Sequence, residues 1–127
     1  MSTEYYIGAE KVSMSPQGRV IVPQKFRKVI SSLESKTLFL VQDVQNGIFA
    51  HDSRTPKNGH PTYEMVMDSW GYITLPQNLI GYARLESGRD NVAMLGEGKH
   101  FSIVPAQVLD DMWKKTPKEF AELFDGF

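Results

Sequence analysis

The order of apolar and polar positions predicts short strands separated by turns, with short helices among them. In the first part of the chain, a strand leads into a turn at Gly18, and the short strand 19–22 follows. Pro23 ends this strand and suits the first turn of a helix, where its missing N–H costs nothing. Strands 37–42 and 48–51 come later. The helix is predicted by an apolar stripe with i, i+3, i+4, i+7 spacing, namely Phe26, Val29, Ile30 and Leu33.

The same order of elements returns 53 residues later. Residues 12–24 (VSMSPQGRVIVPQ) align with residues 65–77 (MVMDSWGYITLPQ). The two parts of the chain that carry these copies are therefore each predicted to contain a strand, a turn, a strand, a helix, a strand, a turn and a strand, in that order. The identical pairs are Met14/Met67, Gly18/Gly71, Pro23/Pro76 and Gln24/Gln77. The second half continues with a shorter helical stripe and two strands, namely Leu79, Tyr82 and Ala83, then 91–95 and 100–104.

This internal repeat predicts how the chain is organised. The first half covers residues 5–51, a linker with two prolines and one glycine covers 52–62, and the second half covers 63–104. Amphipathic stripes predict C-terminal helices over 105–127. A half of about 50 residues has little core of its own, so the halves are expected to interleave, which also removes exposed strand edges. The predicted fold class is α+β and mostly β: one domain, 1–127, in which two pseudo-symmetric halves form one small β-barrel.

Composition narrows the possible functions. The chain has no cysteine, which excludes disulfides and thiolate metal sites. Its histidines, His51, His60 and His100, are scattered, without a carboxylate pair or metal-ligand spacing. Neither catalysis nor a metal or other cofactor is therefore expected. No apolar run approaches the roughly 18 residues of a membrane span, and the N-terminus lacks a signal-peptide pattern. These features favour a cytoplasmic protein without a membrane partner.

Charge is distributed unevenly along a chain whose net charge is −1. Residues 11–36 carry six basic side chains against one acidic, and residues 64–90 carry two against four. An arginine fork bonds well to phosphate oxygens or to guanine O6 and N7, and the turn at Gly18 gives Arg19 a rigid base. A solvated face is the alternative interpretation. The candidate nucleic-acid contacts are Arg19, Lys25, Arg27 and Lys28, with Lys11 on the entering strand.

The stretch S-x-x-G-R-V-I-V-P at residues 15–23 resembles the AbrB-type swapped hairpin. Two tandem copies followed by C-terminal helices resemble the MraZ family of bacterial transcriptional regulators. The resemblance implies that the hairpin loops bind double-stranded DNA, with several subunits in a ring-like homo-oligomer on the nucleoid. In that family each half carries Asp-x-x-x-Arg. Here the first half has Ser15 and Arg19 at these positions, and the second has Asp68 and Tyr72.

These departures leave two interpretations of function. The first is a DNA-binding regulator that recognises repeated short sites. The second is a structural or protein-interaction module whose AbrB-like barrel has lost or reduced DNA binding. Two smaller hypotheses concern the turns: Arg19 meets Asp68 across the halves, or Tyr72 donates its hydroxyl to Asp68. The apolar stripe of the last predicted helix and the N-terminal "YYIGA" either pack on the chain's own barrel or form a subunit contact.

Overall fold

A computed structural model describes residues 5–33, 35–43, 46–52 and 61–114. These residues form a mostly β structure, with eight antiparallel strands in a nearly closed barrel and three helices. The strands are β1 (Ala9–Met14), β2 (Arg19–Ile21), β3 (Thr37–Gln42), β4 (Ile48–His51), β5 (Tyr63–Val66), β6 (Tyr72–Thr74), β7 (Gly88–Gly96) and β8 (His100–Pro105). The helices are α1 (Gln24–Ser31), α2 (Gln77–Tyr82) and α3 (Ala106–Trp113). Most of the predicted linker, and the C-terminal stripe beyond residue 114, lie outside the described residues.

Proline precedes all three of these helices. Pro23, Pro76 and Pro105 occupy the N-cap positions of α1, α2 and α3. The predicted stripe of α1 is buried at Phe26, Val29 and Ile30. The helix ends at Ser31, so the last member of the predicted stripe, Leu33, lies in the following turn and packs partly buried against the core. None of the described helices has the length and apolar character needed to cross a membrane.

The strands run in the order β5-β3-β4-β8-β7-β1-β2-β6. The first and last strands of this order are joined through a tight turn, where the Asp68 N–H donates to the Tyr72 carbonyl at 2.9 Å. Antiparallel ladders link the remaining neighbours. The barrel is therefore closed except where β5 and β6 diverge.

Two ladders join strands from the two parts of the chain at matching positions. In β2–β6, Val20 lies opposite Ile73, and in β4–β8, Phe49 lies opposite Ser102. Both pairs are separated by 53 residues, which is the offset of the sequence repeat. Consequently neither 5–51 nor 63–104 completes the strand pairing of the barrel without the other.

The β2–β6 ladder continues into the two turns through main-chain bonds. The Val22 N–H donates to the Gly71 carbonyl and the Leu75 N–H donates to the Gly18 carbonyl, each at 2.8 Å. Each turn glycine is thus bonded to the strand end of the other half. Because the ladder is antiparallel, the two turns lie at its opposite ends, each beside the strand end of the other half.

An aromatic cluster fills part of the barrel interior. The Tyr6 ring lies 5.3 Å from Phe26 and 4.8 Å from Phe101, and these last two rings are 5.0 Å apart. Tyr6 is 1% exposed, and its hydroxyl has no hydrogen-bond partner among the described residues. Burial is the main cause that raises the pKa of Tyr6 above its ordinary value, with Asp52 adding to it. Within "YYIGA", Tyr6 therefore packs on the chain's own barrel, while Tyr5 and Ile7 are exposed.

Candidate nucleic-acid interface

The turn between β1 and β2 holds Arg19 at its exit. The Ser15 N–H donates to the Arg19 carbonyl, and the Gly18 N–H donates to the Ser15 carbonyl, both at 2.9 Å. The Ser15 hydroxyl accepts a further bond from the Arg19 N–H at 3.1 Å. Gly18 has a φ of +87°, a conformation that glycine adopts without steric cost. Ser15 thus closes the turn through its main chain and its side chain together.

The turn between β5 and β6 has the same bonding, with Asp68 in the place of Ser15. The Asp68 N–H donates to the Tyr72 carbonyl at 2.9 Å, and the Gly71 N–H donates to the Asp68 carbonyl at 3.1 Å. Asp68 Oδ1 accepts from the N–H groups of Trp70 and Tyr72, each at 2.9 Å. Gly71 has a φ of +91°. One carboxylate oxygen closes this turn, so Oδ2 is left for another partner.

That partner is Arg19, which lies across the β2–β6 ladder. Arg19 Nη2 donates to Asp68 Oδ2 at 2.8 Å. The guanidinium also lies over the Tyr72 ring, 4.3 Å from its centroid. The hypothesis that Arg19 and Asp68 meet across the halves is confirmed. The hypothesis that the Tyr72 hydroxyl donates to Asp68 is wrong, because the Tyr72 group that donates to the Asp68 carboxylate is its main-chain N–H. The Tyr72 ring instead lies against the Arg19 guanidinium.

Several interactions favour the ionised form of Asp68. The bond from the Tyr72 N–H is the largest cause that lowers the pKa of Asp68, and the Arg19 side chain and the Trp70 N–H lower it further. Desolvation opposes them with a smaller effect than that of the Tyr72 bond. The carboxylate therefore stays charged over the whole physiological range and holds both the turn and the arginine.

We expect Asp68→Asn to alter how the free energy of unfolding depends on pH in the acid range. Because the pKa of Asp68 is lower in the folded state, its stabilising effect is present above the unfolded value of about 3.9. That effect is lost as the pH falls through the folded-state value. Urea titrations from neutral pH downward should show the variant less stable than wild type near neutrality, with the gap closing in acid. If the free energies of unfolding of the two proteins differ by the same amount at every pH, the Asp68 carboxylate does not stabilise the fold in this way.

The cations of α1 differ in exposure. Lys25 and Lys28 are exposed, and the Lys25 Nζ lies beside Gly8. Arg27 is half-buried and covers the turn between β5 and β6, since a Cβ placed on Gly71 would collide with Arg27 Cδ. Arg27 Nε is buried, with no hydrogen-bond partner among the described residues. Arg27 lies off the apolar stripe as predicted, but it contacts the other half instead of projecting freely into solvent.

A groove of about 350 Å³ separates α1 from the second turn. Sequence reasoning missed Lys36 as part of it, because nothing in the pattern links that residue to the turn. The link is the β3–β5 side of the barrel, where the Met67 N–H donates to the Lys36 carbonyl at 3.1 Å. The groove, here called the α1–turn groove, is lined by Gln24, Arg27, Lys28, Ser31, Lys36, Met67, Asp68, Ser69 and Gly71.

Lys11 lies outside the α1–turn groove. Its Nζ forms an ion pair with Asp110 of α3 at 2.5 Å and lies 5.8 Å from the centroid of the Trp113 ring. The structure therefore brings Arg27, Lys28 and Lys36 together, with Arg19 at the Asp68 edge of the groove, and does not bring Lys11 to them. The predicted contact between Lys11 and DNA stays a prediction.

Comparison with protein-family models and with curated proteins returned no match. Among the described residues, no group of three His, Asp or Glu side chains is placed to hold a metal ion. The functional interpretation consequently depends on the two turns, the α1–turn groove and the cations around them.

Proposed function

We propose that this protein is a DNA-binding transcriptional regulator of the MraZ type, which acts on the nucleoid as a homo-oligomer. Its barrel would consist of two pseudo-symmetric, interleaved swapped-hairpin halves. The registers of β2–β6 and β4–β8 support this arrangement, because repeat-related residues face each other in both. The strand order supports it too. Exchanging β1 with β5, β2 with β6, β3 with β7 and β4 with β8 leaves the circular order unchanged.

The observation that carries the proposal is the position of the Arg19 guanidinium. It is held between the Asp68 carboxylate and the Tyr72 ring, at the exit of a tight turn, with 44% of its side chain exposed. Asp68 bonds to Nη2, and a guanidinium has five N–H donors, so donors remain for a base edge or a phosphate. An arginine already held in one conformation loses less entropy when it binds. Arg19 is thus suited to read a base.

The cations of α1 would supply the contacts that position the protein. Phosphate contacts fix register and orientation and carry no base sequence. Lys28 is exposed and lines the groove beside the Met67–Gly71 turn, and Arg27 lies directly over that turn. Lys25 is also exposed, with its Nζ beside Gly8. We expect Lys11 to contribute least, because Asp110 already neutralises it.

Oligomerisation is part of the proposal because one chain presents few cations. Several linked copies raise the effective concentration of each binding event, so a ring of subunits on repeated sites gains affinity that one subunit lacks. The affinity should also fall as salt is raised, since phosphate binding releases counterions.

The test is light scattering of the full chain with and without duplex DNA that carries direct repeats, at low and moderate salt. We expect a homo-oligomer that binds the duplex, with an affinity that falls steeply between the two salt concentrations. Anisotropy of a labelled duplex gives the affinity independently. Absence of binding to both repeated and random duplexes at low salt would overturn the proposal.

A second candidate function is a protein-interaction module, and one observation favours it. Trp70 and Val66 of the second hairpin are 73% and 63% exposed. Exposed tryptophan is enriched in protein–protein contacts. An interaction module would bind its partner equally well after Arg19→Ala, whereas a DNA-binding regulator would not retain its DNA affinity.

A further inference from the structure

The two turns are covered by different side chains. A Cβ on Gly71 would collide with Arg27 Cδ, and a Cβ on Gly18 would meet Ile80 Cδ1 at 2.7 Å. Arg27 and Ile80 are 53 residues apart, so they occupy the same position in the two copies of the repeat. Each turn is therefore packed by the helix of the other half, but one helix provides a cation and the other an apolar side chain.

The difference extends along the two helices. Lys25 and Lys28 of α1 correspond to Asn78 and Gly81 of α2. Asn78 is already engaged, since its side-chain amide donates to the Tyr63 hydroxyl at 3.0 Å. The helix α2, Gln77–Tyr82, contains no charged residue at all. The helix that covers Gly18 therefore supplies no cation, whereas the helix that covers Gly71 supplies Arg27 and, beside it, Lys28.

The α1–turn groove keeps its positive charge. Within the described part of the chain, Arg27, Lys28 and Lys36 form no salt bridge. Asp68 is the only carboxylate among the groove residues, and it is bound to Arg19. The hydroxyls of Ser31 and Ser69 also line the groove. Three cations and two hydroxyl donors around one open groove match the oxygens of a phosphate group.

We propose that the α1–turn groove binds a backbone phosphodiester of nucleic acid and that the corresponding surface at Gly18 does not. This inference rests on the proposed function and deepens it. The site is composite, because the cations come from the first half and the turn comes from the second. Each subunit then offers one phosphate groove, not two, so the spacing of contacts along DNA is set by whole subunits.

The experiment compares two double variants of the full chain. Lys28→Gln/Lys36→Gln removes two cations from the groove. Arg89→Gln/Lys99→Gln removes two exposed cations outside it, and Arg89 is the repeat counterpart of Lys36. Because each phosphate contact contributes about 0.9 to the slope of log affinity against log salt, the groove variant should lower that slope by about 0.9 for each bound subunit. The control variant should leave it near the wild-type value.

Trp70 reports on the groove directly. It lies in the Met67–Gly71 turn and is 73% exposed, and the chain has only one other tryptophan, Trp113. In a Trp113→Phe background, duplex DNA should change the Trp70 emission, and Lys28→Gln/Lys36→Gln should abolish the change. Equal slopes for the two double variants, or a Trp70 response that survives the groove variant, would overturn the inference while DNA binding stands.

A separate result would show that the proposed DNA-binding function itself is wrong. If the wild type binds no duplex at all, inorganic polyphosphate replaces DNA as the probe of Trp70 emission. A response that the groove variant removes and the control variant retains supports an anion groove without a DNA regulator. No response to polyphosphate overturns the groove as well.

Discussion

Arg19→Ala should weaken binding to DNA with repeated short sites by one to two orders of magnitude. A bidentate arginine contact to a base is worth about 1–3 kcal/mol of discrimination, and the Asp68 carboxylate and Tyr72 ring hold Arg19 for such a contact. The loss should be larger for the repeated sites than for random duplex. Competition anisotropy at one fixed salt concentration measures both affinities.

Three further variants make this result interpretable. Arg19→Lys keeps the charge but loses the planar fork, so it should retain non-specific binding and lose discrimination. Asp68→Asn removes a negative charge beside Arg19, so affinity for random duplex should rise. Arg89→Ala removes an arginine whose side chain is 93% exposed, and it should leave discrimination unchanged. If Arg19→Ala discriminates as the wild type does, Arg19 does not read DNA.

Phe26→Ala should lower the free energy of unfolding by about 3–5 kcal/mol, the usual cost of truncating a buried phenylalanine to alanine. Phe26 is 2% exposed and contacts the rings of Tyr6 and Phe101. Because the same residue anchors α1, its loss should also loosen the position of Arg27 over the second turn. Urea unfolding followed by circular dichroism gives the stability change.

Tyr6→Phe is the matched control for that measurement. It keeps the ring of the cluster and removes a buried hydroxyl without a hydrogen-bond partner among the described residues. A buried unsatisfied donor costs about 1–3 kcal/mol, so this variant should be as stable as the wild type or more stable. A loss below about 1 kcal/mol for Phe26→Ala would mean that the cluster can close over the missing ring.

Much of the fold could be predicted from local signals. Pro23 and Pro76 marked the helix starts, the stripe at Phe26, Val29 and Ile30 marked the buried face of α1, and the glycines marked the turns. The repeat further indicated that neither half would fold alone. What local patterns could not provide was the partner of each element. That Arg27 covers Gly71 follows from the β2–β6 register, which depends on contacts between residues far apart in the chain.

The sequence also predicted part of the candidate site. Arg19 was identified by its place after a turn glycine, and its contact with Asp68 was one hypothesis among several. The motif suggested an acid within the same turn, whereas the structure pairs the arginine with the acid of the other turn. Lys36 was missed because its contact with Met67 joins strands that are far apart in the chain. The ion pair between Lys11 and Asp110 of α3 depends likewise on long-range packing, and the DNA contact of Lys11 stays a prediction.

The strand order also has a consequence for how the chain folds during synthesis. The hairpins β1–β2 and β3–β4 close within a short stretch, but β1, β2 and β4 find their second neighbours only in β7, β6 and β8. A nascent chain must therefore keep one edge of β2 unpaired until β6 is released, one edge of β1 until β7 is released, and one edge of β4 until β8 is released. Such non-local pairing slows folding, and unpaired edges invite association with other chains. The need for chaperone protection should thus last until β8 is released.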